Sequence, residues 1–359
     1  MTRRVPVRDD LVALGAYHSP QVDAVVRLNT NESPFPPPDA WRDELARGVR
    51  ELAFHRYPDR DAVELRARIA ELHGVEPREV FCANGSNEVL QCLLLAYGGP
   101  GRTALVFEPT YALHTHIARL TGTAVVRGGR DDALRIDLDT ATRLLAEHEP
   151  ALTFVCSPNN PTGVAERSEV VAALVERAPG MLVVDEAYGQ FAEWSALELR
   201  ARRAAPDEQG PVVVRTFSKT WAMAAARLGY LVADAEVVEA CGAAALPYHL
   251  SAQTQLAGLL ALRYREDMEE RVAIVARGRD ELMAGLRGLA VELWPSEANF
   301  VLFRPLERPA PEVWKELLAE GVLVRDCSRW PGLDGCLRVT VGTPTENGLF
   351  LAALTQVLR

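Results

Sequence analysis

Between about residues 60 and 235 the chain alternates short apolar runs with longer stretches of helical period. The runs EVFCA, TALVFEP, LTFVC, MLVVDEA, PVVVRTF and GYLVA are rich in Val, Leu and Phe and have strand length. Between them lie SNEVLQCLLLAYG, TYALHTHIARLTG and RSEVVAALVERA, whose apolar residues recur at helical spacing. Strand and helix in alternation predict an α/β fold, with a mostly parallel central sheet flanked by helices on both faces. After about residue 250 the pattern changes. One long helical stretch from Ser251 leads to the strand-like runs VELWP, NFVLFRP, VLVRD and CLRVTV, and an amphipathic helix ends the sequence. That order predicts a second, smaller α+β domain. The opening residues hold prolines and little periodicity. The expected division is an arm over 1–35 that joins the small domain, a large domain over 36–250 and a small C-terminal domain over 251–359.

In open α/β sheets, ligands sit beyond the carboxyl ends of the strands. Five predicted strand ends are followed by polar or aromatic residues: Asn84-Gly85-Ser86-Asn87, Thr110-Tyr111, Ser157 to Gly163, Asp185 to Tyr188, and Ser218-Lys219. Five such loops converging on one edge predict a single site. Each has a plainer reading alone. Ser86 or Asn87 would serve as an ordinary helix N-cap, or the same turn could cradle an anion on free backbone N–H groups. Asp185 would be a solvated turn residue, or a carboxylate held in a dry cleft against a ring nitrogen. Tyr111 offers an aromatic face for a flat ring. His114 and His116, two apart on a helix, point to different faces and are read as structural rather than as metal ligands.

Composition sharpens one position. The chain has 39 Lys+Arg, of which only Lys219 and Lys315 are lysine. Lys315 fits the polar side of a short amphipathic helix. Lys219 closes a β-run and enters a small-residue stretch, where a surface cation is out of place. A lysine amine can lose its proton and condense with an aldehyde; an arginine cannot. The net charge of -10 argues against a nucleic-acid partner, and no apolar run reaches membrane-spanning length. The six cysteines form no CxxC pair and read as buried free thiols of a cytoplasmic protein. Neither GxGxxG after the first strand nor GxxxxGK[ST] is present, so neither a dinucleotide nor a nucleoside triphosphate is indicated.

SPNNPTG, VVDEAY and TFSKTWAMAAARLGY, in that order, resemble fold-type I aminotransferases that use pyridoxal 5′-phosphate (PLP). LNTNESPFPPP, RYPD, ANGSNEVL, SEANFVLF and CLRVTVGT narrow the resemblance to the histidinol-phosphate subgroup. Ala226 before Arg227 departs from the family's usual Gly-Leu, while the Lys219–Arg227 spacing is kept.

The resemblance implies a role for each matching position. Lys219 would link to the cofactor and carry the proton between substrate Cα and cofactor C4′. Asp185 would pair with the pyridinium nitrogen. Asn160 and Tyr188 would bind the ring 3′-oxygen, and Tyr111 would stack on the ring. Gly85, Ser86, Asn87, Thr216, Ser218 and Arg227 would hold the cofactor phosphate. Tyr57 would reach the phosphate in a neighbouring subunit, giving a homodimer with shared active sites. Arg338 and Arg325 would bind the substrate anion, with Tyr17 and Asn31 beside it. For Arg325 an ordinary strand-end surface charge is the other reading. The activity implied is transfer of an amino group from L-histidinol phosphate to 2-oxoglutarate. An aromatic-amino-acid transaminase or a PLP lyase such as a threonine-phosphate decarboxylase would keep the same cofactor residues.

Overall fold

The computed structural model describes residues 5–12, 22–202 and 210–359. Among these, seven strands form one sheet in the order Val80–Asn84, Leu228–Val232, Val212–Thr216, Met181–Asp185, Leu152–Cys156, Thr103–Phe107, Ala124–Gly128. The last five pair in parallel. Leu228–Val232 runs antiparallel to both of its neighbours. It therefore starts at the edge where the other strands end, which brings Arg227 to that edge. The four strands from Leu152, Met181, Val212 and Leu228 are buried along their whole length, as expected for strands covered on both faces.

Successive residues feed opposite cores. Val106, Phe154 and Val183 pack with the helix Gly85–Tyr97 on one face. Leu105, Val155 and Val184 pack with the helices Leu138–His148 and Ser168–Arg177 on the other. The α/β class and mostly parallel sheet expected from the sequence are the ones observed. The edge strand Ala124–Gly128 and the helices Asp39–Glu51 and Val63–His73 were not among the predicted elements.

A second, four-stranded antiparallel sheet has the order Arg325–Asp326, Leu337–Thr340, Phe300–Pro305, Val291–Leu293. Its core joins Phe303, Leu337 and Val339 to Leu282, Leu286 and Phe350. The long helical stretch after Ser251 is broken at Tyr264 into Ala252–Arg263 and Arg265–Arg287. Near the start of the chain, Val26–Arg27 pairs in parallel with Val322–Leu323, and Thr340 donates its N–H to Leu28 O. Residues 29–32 continue from this anchor to the carboxyl edge of the large sheet. All six cysteines are buried and free.

Candidate active site

The five predicted strand-end loops line one cavity of about 240 Å³. Ser86, Asn87, Tyr111, Asn160, Asp185, Tyr188, Thr216, Ser218, Lys219 and Arg227 all contribute, with Asn31, Arg325 and Arg338 from the far side. Tyr57 does not: it is 78% exposed and stacks on Tyr248 at 4.4 Å. Tyr17 lies outside the described residues.

Lys219 Nζ donates to Thr30 O at 3.1 Å and sits 5.8 Å from the centre of the Tyr188 ring. Burial lowers its pKa to about 8, with help from Arg338 and Arg227 and against the pull of Glu32. An amine so shifted keeps a sizeable uncharged minority near neutral pH, where an ordinary lysine has almost none.

Asp185 ends a fully buried strand and is itself 1% exposed. His114 Nε2 lies 2.9 Å from its Oδ2, and the Ala187 N–H donates to its Oδ1 at 3.1 Å. A carboxylate only accepts, so Nε2 carries the imidazole proton. The imidazole is fixed by stacking on Phe154 at 5.1 Å. The sequence had placed His114 as merely structural; it is the direct partner of Asp185. The signal was its position one helical turn after Tyr111, which puts both on the same face.

At the end of the neighbouring strand, Thr216 Oγ1 donates to Ser218 Oγ at 3.0 Å, and Arg227 Nη1 reaches the same Ser218 oxygen at 3.5 Å. Gly85 opens the helix Gly85–Tyr97 at φ 77°, and a Cβ there would stand 2.5 Å from Arg227 Nη2. The positive φ calls for glycine, and a Cβ would push the Arg227 guanidinium out of its present place. Ser86 and Asn87 are not the N-cap: Asn84 holds that position, and no side chain caps the terminus. Its first-turn N–H groups therefore face the cavity beside two hydroxyls and a guanidinium, a set suited to a phosphate dianion. Tyr111 donates its phenol proton to Asn87 Oδ1 at 3.1 Å.

Arg325 and Arg338 are paired across adjacent strands. Like charges directly opposite disfavour the pairing unless an anion is shared between them. Arg338 is 5% exposed and donates to Asn160 Oδ1 at 2.5 Å and to Asn29 O at 2.8 Å. Arg325 is half-buried, lies 5.4 Å from the Trp330 ring centre and lines the cavity. Trp330, Asn29, Thr30 and Thr340 were missed by the sequence. Asn29 meets Arg338, and Thr340 meets Asn31, across 309 positions, and Thr30 meets Lys219 across 189, separations that no local pattern reveals. Lys315 is exposed on the helix Ala310–Ala319, as expected.

The family profile for aminotransferase class I and II matches residues 23–354. A Corynebacterium diphtheriae histidinol-phosphate aminotransferase is 43% identical over 98% of this chain and 96% of its own. The corresponding protein of Thermobifida fusca is 45% identical over 98% and 95%. Among solved structures, histidinol-phosphate aminotransferase from Sinorhizobium meliloti in complex with pyridoxal-5′-phosphate superposes with a TM-score of 0.87 at 20% identity, covering 100% and 99% of the two chains. L-threonine-O-3-phosphate decarboxylase from Porphyromonas gingivalis gives 0.79 at 24%, covering 93% and 99%. These two structural likenesses concern the fold alone. Matched over nearly its whole length by the profile and by curated relatives well above 30% identity, the chain belongs to the class I and II aminotransferases.

Proposed function

We propose that the chain is a PLP-dependent transaminase that converts L-histidinol phosphate and 2-oxoglutarate to imidazole acetol phosphate and L-glutamate, a step of histidine biosynthesis. The observation that carries the cofactor is one cavity with a depressed-pKa amine between a buried carboxylate and a phosphate-type donor set. When bound, PLP supplies an electron sink for the carbanion left at substrate Cα. Asp185 would pair with the ring nitrogen and favour its charged form, and His114 holds the Asp185 carboxylate oriented. Asn160 and Tyr188 would hold the ring 3′-oxygen. Lys219 Nζ would be the group that takes the proton from substrate Cα and delivers it to the cofactor.

The substrate follows from the arginine pair. Histidinol phosphate carries a phosphate where glutamate carries a carboxylate, and one site must serve both in turn. Two guanidiniums on adjacent strands can meet a dianion or a monoanion. The 43–45% identity to curated histidinol-phosphate aminotransferases supports the same substrate. A biosynthetic transaminase of this kind would work in the cytoplasm; among the described residues no helix is long and apolar enough to cross a membrane.

The exposed residues Phe54, Tyr57, Leu246 and Tyr248 support a homodimer in which Tyr57 serves the partner's site. The deciding test mixes holoenzyme with histidinol phosphate, phenylalanine, tyrosine or threonine phosphate and follows transfer of the amino group to the cofactor. Histidinol phosphate reacts fastest on this reading. Faster reaction of an aromatic amino acid replaces it with an aromatic transaminase, and release of carbon dioxide from threonine phosphate replaces it with a lyase.

A further inference from the structure

Asn31, expected at the substrate, lines the cavity, and its contacts point to a further task. Its side chain is 1% exposed and lies between the two sheets. Its backbone N–H donates to Thr340 Oγ1 at 3.0 Å. The Thr340 hydroxyl, having accepted there, donates its own proton to Asn31 Oδ1 at 3.1 Å. The amide oxygen therefore faces Thr340, and the amide nitrogen faces Tyr188, whose Oη lies 2.9 Å away. An amide NH₂ group only donates. The Tyr188 oxygen must accept from it, so the phenolic proton is turned elsewhere, and the open direction is the cavity that Tyr188 lines.

The backbone is committed to this arrangement as well. Asn31 has φ 54°, a left-handed conformation that asparagine tolerates better than most residues. Asn299 Nδ2 holds the Asn31 carbonyl at 3.1 Å. In the two residues just before it, Thr30 O receives the Lys219 amine and Asn29 O receives Arg338. Thr340 stands two residues from Arg338 on the same strand face.

We propose that Asn31 is a positioning residue that sets the hydroxyl rotor of Tyr188, so that the phenol always presents its proton to the cofactor ring oxygen. Through Thr340 it ties that rotor to the strand carrying the anion-binding Arg338. The inference rests on the PLP reading above. A ring oxygen that already receives a hydrogen bond competes less for the proton of the neighbouring lysine-linked nitrogen. The visible chromophore of the resting holoenzyme then loses that proton at lower pH.

The test is a pH titration of that visible band in wild type, Asn31→Asp, Thr340→Val, Tyr188→Phe and the Asn31→Asp/Tyr188→Phe double variant, all reconstituted with PLP. Aspartate suits the left-handed backbone but can only accept, so the Tyr188 proton turns toward it and away from the cavity. The midpoint is expected to rise by about one pH unit in Asn31→Asp, a tenfold change in the proton equilibrium. Tyr188→Phe should rise similarly. Thr340→Val, which frees the amide to flip without adding charge, should rise by less. The double variant should match Tyr188→Phe alone. An Asn31→Asp shift that persists undiminished in the Tyr188→Phe background would be a charge effect and would overturn the proposal. So would a Tyr188→Phe shift with none in Asn31→Asp or Thr340→Val. Melting of the apo variants shows whether each is folded, and Thr340→Val decides alone if Asn31→Asp is not. A wild type that forms no visible band with PLP removes the cofactor reading itself, and a band that does not change with pH overturns this inference alone.

Discussion

Lys219 is one of two lysines among 39 Lys+Arg, and its chemistry explains why arginine does not replace it. With a pKa near 8, roughly a quarter of the amine is uncharged at pH 7.5, against about a thousandth for an ordinary lysine. Lys219→Arg keeps the charge and loses the nucleophile. It should abolish borohydride-stable attachment of PLP, read by mass spectrometry, while the fold melts as before. In the unsubstituted apoenzyme, capture of PLP should quicken as pH rises toward 8 and level off above it, because a depressed pKa leaves the reactive form dominant on the alkaline side. A midpoint near 10 in stopped-flow capture would contradict the burial argument. Arg325→Leu should raise KM for the phosphorylated donor at least tenfold, about 1.4 kcal/mol, and affect glutamate less; equal loss on both would return Arg325 to a structural role. The sequence disclosed Lys219, Asp185, Asn160 and Arg227 because they lie in contiguous motifs behind strands. It did not disclose the partners that orient them. His114 meets Asp185 across 71 positions and Asn31 meets Tyr188 across 157, distances that only packing closes.

Elements, more than single side chains, decide where the phosphate end of the site falls. The antiparallel strand Leu228–Val232 carries Arg227 to the site edge because it runs against its neighbours. Gly229, in that strand, packs directly against the backbone of Gly85 and Ser86, and a Cβ there would overlap both. Gly229→Ala should therefore displace the start of the helix Gly85–Tyr97 from Arg227. Weaker PLP binding, by tenfold or more in equilibrium titration, is the expected result, with a loss of stability of about 1–3 kcal/mol from overpacking. An unaltered affinity would mean that the helix terminus does not serve the phosphate. The same elements show what sequence pattern conveys. Fully buried strands such as Met181–Asp185 are continuous apolar runs and were legible. The edge strand Ala124–Gly128 mixes exposed and half-buried positions, and its alternation is too weak to stand out. The break at Tyr264 is likewise hidden, since Ala252–Arg263 and Arg265–Arg287 keep helical period on both sides of one residue.

At the scale of the whole molecule, Tyr57 poses a topological question. It was assigned to a cofactor phosphate, yet in its own subunit it is exposed, stacked on Tyr248 and absent from the cavity wall. Phe54 and Leu246 are 65% and 77% exposed, an apolar surface that a second copy of the chain would cover. A residue acting across that interface has a signature that no single variant can mimic. Lys219→Ala dimers lack the amine, and Tyr57→Phe dimers should bind PLP weakly, so each is inactive when cofactor is limiting. In a mixed dimer with Tyr57 acting in trans, one site carries both defects and the other carries neither. Random reassortment of equal amounts should therefore restore roughly a quarter of wild-type activity at limiting PLP, half of the dimers being mixed with one intact site each. If Tyr57 acts within its own chain, every site keeps one defect and mixing restores nothing. If a second copy covers this surface, Leu246→Asp should place a charge in the interface, shift sedimentation toward monomer and lower PLP affinity as the protein is diluted. Restoration on mixing, together with that concentration dependence, would make the dimer the unit in which the active site is complete.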